Sequence, residues 1–343
     1  MLLALLVLAA LAATPNTDPF AFLQPSMTVS ADERQQLDRG KSIARVLPAH
    51  DREAAVFAAI RVDVDGDRLV AWMRHIGELK KSAEVLAIGR LSDAPTIDDL
   101  AGLVLDPEEL SEILECRPGS CGLKLSAVEM DRLQRVAAAA GTDWRPRLQQ
   151  AFRAMVLERV KAYMAEGHAA LSPYVDHGDP VWPATRFASV LGHFLFLTSH
   201  LPQFAGHLSG YPGIPAPELE SFVYWSKERL AGKTIISATH VSILRSDEPG
   251  LPDALVAGKQ IFATHYVNAS LGITVILRGA PGANNYLAYV NRSEVDMLGG
   301  VFGGLARRIM QRRLKAEAAT VLQELRRRLE SGEPPPIEPK ERY

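Results

Sequence analysis

Between residues 54 and 64 the chain alternates. Ala54, Val56, Ala58, Ile60, Val62 and Val64 recur at every second position, with Phe57, Arg61 and Asp63 among the intervening residues, which is the period of a strand. The turn Asp65-Gly66-Asp67 gives way to Leu69, Trp72, Met73, Ile76 and Leu79 at helical spacing, and Asp67 stands where a helix cap belongs. Short runs at 85–91 and 123–125 read as two more strands. Over 127–231 the pattern is mainly helical. One helix covers 127–140. A second runs from Gly141-Thr142-Asp143 to 167 and buries Leu148, Phe152, Met155, Val156, Val160 and Tyr163. A third, strongly apolar, covers 184–201 and carries Arg186, His193 and His200, polar residues that argue against a membrane span. The stretches 174–183 and 202–217, the latter with Pro202, Pro212, Pro215 and Pro217, read as loops.

The period changes again after residue 232. Residues 234–244, 255–268, 273–278 and 286–291 read as four strands, separated by turn signals such as Pro249-Gly250 and Gly279-Ala280-Pro281-Gly282. A long helix is predicted over 295–329. The fold class is therefore α+β: a curved antiparallel sheet built from both ends of the chain, a helical insertion, and a long C-terminal helix packed on the sheet. It forms one domain over 46–330, divided into a strand–helix–strand part (46–126), the helical insertion (127–231) and four strands plus the helix (232–330). An extended, proline-bearing segment (14–45) with a short helix from Ser30 precedes it, and a polar tail (331–343) that cannot bury a core follows. In outline this order resembles the helix-grip lipid-binding domains of the START type, where a curved antiparallel sheet is closed by a long C-terminal helix. The likeness is one of fold.

The first residues add a compartment. Leu2 to Ala13 carry no charge and are too few to span a bilayer, which needs ~20. They fit the apolar region of a secretory signal, with Ala10-Leu11-Ala12 as the small-x-small cleavage pattern. Residues 1–13 are read as a signal peptide and the protein as periplasmic or secreted, the alternative being a buried N-terminal helix. No cysteine follows the run, so no lipid anchor is expected. Export changes what the two cysteines mean, because paired cysteines in an oxidising compartment form disulfides. Cys116 and Cys121 flank the turn Arg117-Pro118-Gly119-Ser120, and a local structural bridge is expected, without metal or redox chemistry. Composition is that of a globular protein, with 47 % hydrophobic and 23 % charged residues. A net charge of −2 gives no field for nucleic acid.

Several constellations invite chemistry. Asp63-Val64-Asp65-Gly66-Asp67 has its glycine and its twelfth residue, Arg74, wrong for a calcium loop. His193, His200 and His207 are seven apart, ~10.5 Å along a helix axis, too far to share a metal. Gly299-Gly300-Val301-Phe302-Gly303-Gly304 lacks the phosphate-loop ending and reads as a helix entry. Arg307, Arg308, Arg312 and Arg313, interleaved with apolar residues, make a basic amphipathic stretch able to lie on an anionic membrane surface, or simply a solvated helix face. His240 and His265 are the most informative pair. If their strands are neighbours, the two imidazoles could meet in an apolar concavity with Phe262, Tyr266 and Asn291, suited to ligand recognition or proton transfer. Against this stands the reading of two separately satisfied core histidines. Sequons at Asn268 and Asn291 are expected to lie in or beside strands. No nucleophile motif, metal motif or cofactor fingerprint is present.

Three functions are thus in play. The first is non-enzymatic binding of a hydrophobic small molecule or lipid in a sheet–helix cavity. The second is a hydrolase with a spatially assembled Ser/His/Asp site using His240 or His265 as base. The third is a structural or assembly protein of the cell envelope.

Overall fold

A computed structural model describes residues 18–49, 52–214, 218–230, 232–298 and 303–334, leaving aside the side chains of 303–311. The segment read as a signal peptide (1–13), most of the glycine run at 299–304 and most of the tail (331–343) lie outside these residues. Eight strands form one antiparallel curved sheet. They are β1 (Ile43–Val46), β2 (Glu53–Val62), β3 (Val85–Arg90), β4 (Glu220–Leu230), β5 (Lys233–Arg245), β6 (Ala254–Ala263), β7 (Val267–Leu277) and β8 (Asn285–Val295). Their order across the sheet is β1-β2-β8-β7-β6-β5-β4-β3, so the two ends of the chain meet where β2 pairs with β8. The α+β class is as the pattern requires.

Both faces are covered. On one lie α2 (Gly66–Arg74), α3 (Ile76–Leu79) and the C-terminal α10 (Gly303–Glu330). Asp65, not Asp67, caps α2, its Oδ1 accepting from Arg68 N at 3.0 Å. Leu314, Ala318, Leu322, Leu325 and Leu329 form the apolar stripe of α10. The last four pack on Ala44, Val56, Ala58, Ile60 and Leu69, so this helix rides along β1 and β2. Its end is clamped: Arg328 donates to the carbonyls of Glu78 (2.7 Å), Leu79 and Lys81, and Trp72 Nε1 to Gly332 O (3.0 Å).

The opposite face carries α1 (Ala31–Asp38) and the insertion, which holds α4 (Pro107–Glu115), α5 (Ala127–Ala139), α6 (Trp144–Glu166), α7 (Pro183–Gly192), α8 (Leu195–His200) and α9 (Pro202–Gly210). It buries two apolar clusters on the sheet, one around Phe57, Phe187, Phe194 and Leu271, the other around Phe152, Tyr163, Trp225 and Phe262.

The elements differ from expectation in several places. The insertion begins after β3, near residue 91, because buried Leu123 and Leu125 stand outside the sheet, where Lys124 N donates to Thr264 O and Leu125 O accepts from Val175 N. Residues 220–230 are a strand, not helix: Phe222 and Tyr224 face one side, Val223 and Trp225 the other, so burial on both faces erases the alternation. The run 255–268 is two strands joined by the turn Thr264–Tyr266, in which Tyr266 takes φ +61° with no glycine to announce it. The apolar run 184–201 breaks into α7 and α8, and 202–210 is helix rather than loop, with Pro183 and Pro202 at first helical positions where a missing N–H is harmless. The final helix starts at Gly303 because β8 continues to Val295.

Cys116 and Cys121 lie at disulfide distance, Sγ–Sγ 2.04 Å, at the foot of α4. No helix among the described residues is long and apolar enough to cross a membrane.

Candidate functional site

Because α10 lies over β1 and β2, it leaves part of the same sheet face open. The register identifies what is left. Asn291 pairs with Val56 on one side and Gly272 on the other; Gly272 pairs with Gly258, and Gly258 with Val241. Tyr289, Thr274, Ser270, Ser293, Gln260, Thr239 and Ser237 share this face by alternation. All of these except Val56 and Val241 are half-buried, whereas Val56, Val241, Val256, Ile276 and Leu287 further along the face are buried. The result is a groove. Its floor is β8-β7-β6-β5, α10 forms one wall, and α2 with α3 close the dry end.

The floor is polar but uncharged. Ser270 Oγ and Ser293 Oγ are 2.8 Å apart, Asn291 Nδ2 donates to Ser270 Oγ (3.2 Å), and Ser293 Oγ donates to Asn291 Oδ1 (2.9 Å). Gly258 and Gly272 leave bare backbone at its centre. A Cβ on Gly272 would stand 3.4 Å from the Tyr289 ring and hydroxyl, so this tyrosine lies across β7 where the side chain is missing. Burial pushes the Tyr289 phenol up to about 12, which keeps it a neutral hydrogen-bonding group. On the far wall Lys80 Nζ donates to Glu228 Oε1 (2.7 Å) and sits 5.3 Å from the Tyr224 ring centroid. Burial opposes both charges, but Tyr224 and Glu228 hold Lys80 above its ordinary value, and Lys80 holds Glu228 below its own. The pair is neutral overall. A flat floor with hydroxyl and amide groups, flanked by valine, isoleucine and leucine, can seat an apolar body and satisfy a few hydroxyl or carbonyl groups on it.

Of the residues singled out by sequence, Asn291 lies in this groove. The others do not. His240 points to the opposite face, where its Nδ1 is 2.9 Å from the Tyr163 hydroxyl. His265 sits in the β6–β7 turn and is fully engaged, Nδ1 donating to Gly122 O (2.7 Å) and Nε2 contacting Glu109 Oε1 (2.9 Å). The two histidines therefore take separate partners, and neither bonds a serine among the described residues. The turn at 264–266 is the reason, since it removes His265 from the strand on which alternation placed it. Phe262 is core, under the Arg159 guanidinium at 4.8 Å, and Tyr266 is half-buried beside Leu298. Arg312 and Arg313 are exposed on α10, while the side chains of Arg307 and Arg308 lie outside the described residues. His193 bonds Glu53 (3.1 Å), His200 contacts Gln24 O (3.2 Å), and His207 is buried on α9. Asn268 and Asn291 lie within β7 and β8. Among the described residues no group of side chains is placed to hold a metal. Tyr289, Thr274, Gln260 and the glycine pair escaped sequence reasoning, although two glycines inside strands are a signal for a bare sheet surface.

No protein-family model matches the chain, and no curated protein does. Among solved structures, TTHA0849 from Thermus thermophilus is 14 % identical over 43 % of this chain and 90 % of its own, with a TM-score of 0.25. The Zhui aromatase/cyclase from a Streptomyces species is 15 % identical over 43 % of this chain and 87 % of its own, also at 0.25. The di-domain ARO/CYC BexL from the BE-7585A biosynthetic pathway is 12 % identical over 84 % and 79 %, at 0.24. Likenesses at this level give the chain neither a substrate nor an activity.

Proposed function

We propose that this protein binds a hydrophobic small molecule or lipid bearing hydroxyl or carbonyl groups, held in the groove between the sheet and α10, and that it does so as an exported carrier. One observation carries the reading: the half-buried, uncharged polar floor around Gly258 and Gly272, on a face whose other residues are dry. Polar groups left open to a groove are available to a ligand, and the absence of charge there favours an apolar one. Export is supported by the apolar run 2–13 and by the Cys116–Cys121 pair.

The test is native mass spectrometry of the full chain, followed by organic extraction, with Gly258→Val as the control. A Cβ at Gly258 meets only Thr239 Cγ2, at 3.6 Å, and the Gly272 carbonyl oxygen, at 4.0 Å, and so would fill the floor without a clash. Recovery of a small molecule from the wild type and its loss from a folded Gly258→Val supports the reading. Equal recovery from both, or none from either, refutes it. N-terminal sequencing of exported protein checks cleavage near residue 13.

A further inference from the structure

The sheet face turned away from the groove holds a cluster that ligand binding does not use. Lys259 on β6 is 1 % exposed, and the one oxygen within its reach among the described residues is the Leu208 carbonyl, at 3.2 Å. Its remaining neighbours are the rings of Tyr163 and Phe187, with centroids 4.8 and 4.5 Å away. Among the described residues no carboxylate pairs with it. Burial holds this amine well below its ordinary value.

Three imidazoles stand around it. Tyr163 links Lys259 to His240, and Phe187 links it to His168, whose ring lies 5.1 Å from Phe187. His207 is 6.3 Å from His240, ring to ring, and Tyr211 is 4.4 Å from His240. Nε2 of His240, His207 and His168 is in each case buried and without a partner among the described residues. Burial and the neighbouring Tyr211 keep the Tyr163 phenol protonated; with its hydroxyl donating to His240 Nδ1, the neutral imidazole carries its proton on Nε2. His207 faces the Ile214 carbonyl through Nδ1 at 3.3 Å. Beyond the Leu208 carbonyl, Lys259 has one spare N–H as an amine and two as an ammonium, and among the described residues no negative charge receives them. Buried polar groups are ordinarily paired, and leaving one unpaired costs about 1–3 kcal/mol.

We propose that this cluster is the seat of a small monovalent anion, which accepts hydrogen bonds from Lys259 Nζ and His240 Nε2 and supplies the missing counter-charge. His240 and Lys259 are register partners across β5 and β6, which sets their side chains next to each other on this face, and half-buried Tyr211 and His168 stand at its edge. Binding is coupled to a proton. Burial disfavours the ammonium and an anion beside it favours it, so entry of the anion draws protons onto the amine.

The full chain would be titrated at pH 7 with sodium formate, sodium acetate and sodium chloride, at an ionic strength fixed by a bulky organic sulfonate. The expected result is a saturable rise in Tm with a millimolar half-point for at least one of the three. Calorimetry in buffers of different ionisation enthalpy should show net proton uptake on binding. Lys259→Met, which replaces an uncompensated amine by an apolar side chain of similar volume, should melt higher than wild type without added anion and lose the saturable rise. Should that variant fail to fold, proton uptake by the wild type decides. A Tm that climbs equally with all three salts overturns the proposal, as does binding without proton uptake or a saturable rise that survives in Lys259→Met. An internal water would then be the occupant.

Discussion

Lys124 joins the helical insertion to the end of the sheet, and replacing it by methionine measures that joint. The side chain is 1 % exposed, and its Nζ donates to Asn268 Oδ1 (2.7 Å), Asp176 Oδ2 (3.3 Å) and Asp296. Methionine keeps the volume while removing the charge and its place 5.1 Å over the Tyr174 ring. The two aspartates then fare differently. Asp296, 29 % exposed, retains Asn268 Nδ2 at 2.8 Å and Arg52 at 3.7 Å. Asp176, 6 % exposed, retains the exposed His177 at 3.1 Å. Stranding one member of a buried pair costs ~3–5 kcal/mol. Since Asp296 can turn to water, we expect about 3 kcal/mol for Lys124→Met, nearly all of it from Asp176. Asp176→Asn in the same background removes the stranded charge and should return about 2 kcal/mol of the loss. Urea unfolding followed by tryptophan fluorescence, under oxidising conditions, reads both values. A single variant that loses less than about 1 kcal/mol, the size of an exposed pair, would refute the reasoning. So would a double variant no more stable than the single one.

Leu322→Ala removes a 1 % exposed side chain from the stripe that seats α10 on β2, and should cost about 2–5 kcal/mol in the same assay. Reducing Cys116–Cys121 reopens a loop with a sequence separation of 5, so the loss should be only roughly 2 kcal/mol, seen as a small shift in the urea midpoint with and without a phosphine reductant. Burial, then the Lys259 charge, pushes His240 down to about 3 and His168 to about 4. The folded state therefore keeps both neutral while the unfolded chain takes up protons below pH ~6.5. Stability is full above that value and falls with decreasing pH, at most about 1.4 kcal/mol per unit per histidine, down to the two folded values. His240→Gln should flatten the part of a Tm-versus-pH curve that extends furthest into acid, and an unchanged curve would count against a neutral buried ring. Gly258→Val should melt within a few degrees of wild type, since valine suits a strand and its Cβ meets only ordinary contacts.

Much of the architecture followed from local pattern. Glu53–Val62 alternated, Ala127–Ala139 and Trp144–Glu166 carried helical stripes, and Asn285–Val295 was framed by turns, so class and element order were legible. Two cysteines around a Pro-Gly turn sufficed to place them at bonding distance. Burial on both faces hid Glu220–Leu230, because a strand covered on both sides has no polar period. The turn at 264–266 was silent, since a tyrosine, not a glycine, takes the positive φ there. That silence moved His265 off its strand and dissolved the expected pairing with His240. The site itself was a matter of tertiary structure. Which of Ser237, Gln260, Thr274, Tyr289 and Asn291 stay open depends on where α10 lies across the sheet, and the clamp of Arg328 on the α3 carbonyls sets that position. Local sequence specifies which side chains share a face; only the packing of distant elements decides which part of that face is left uncovered.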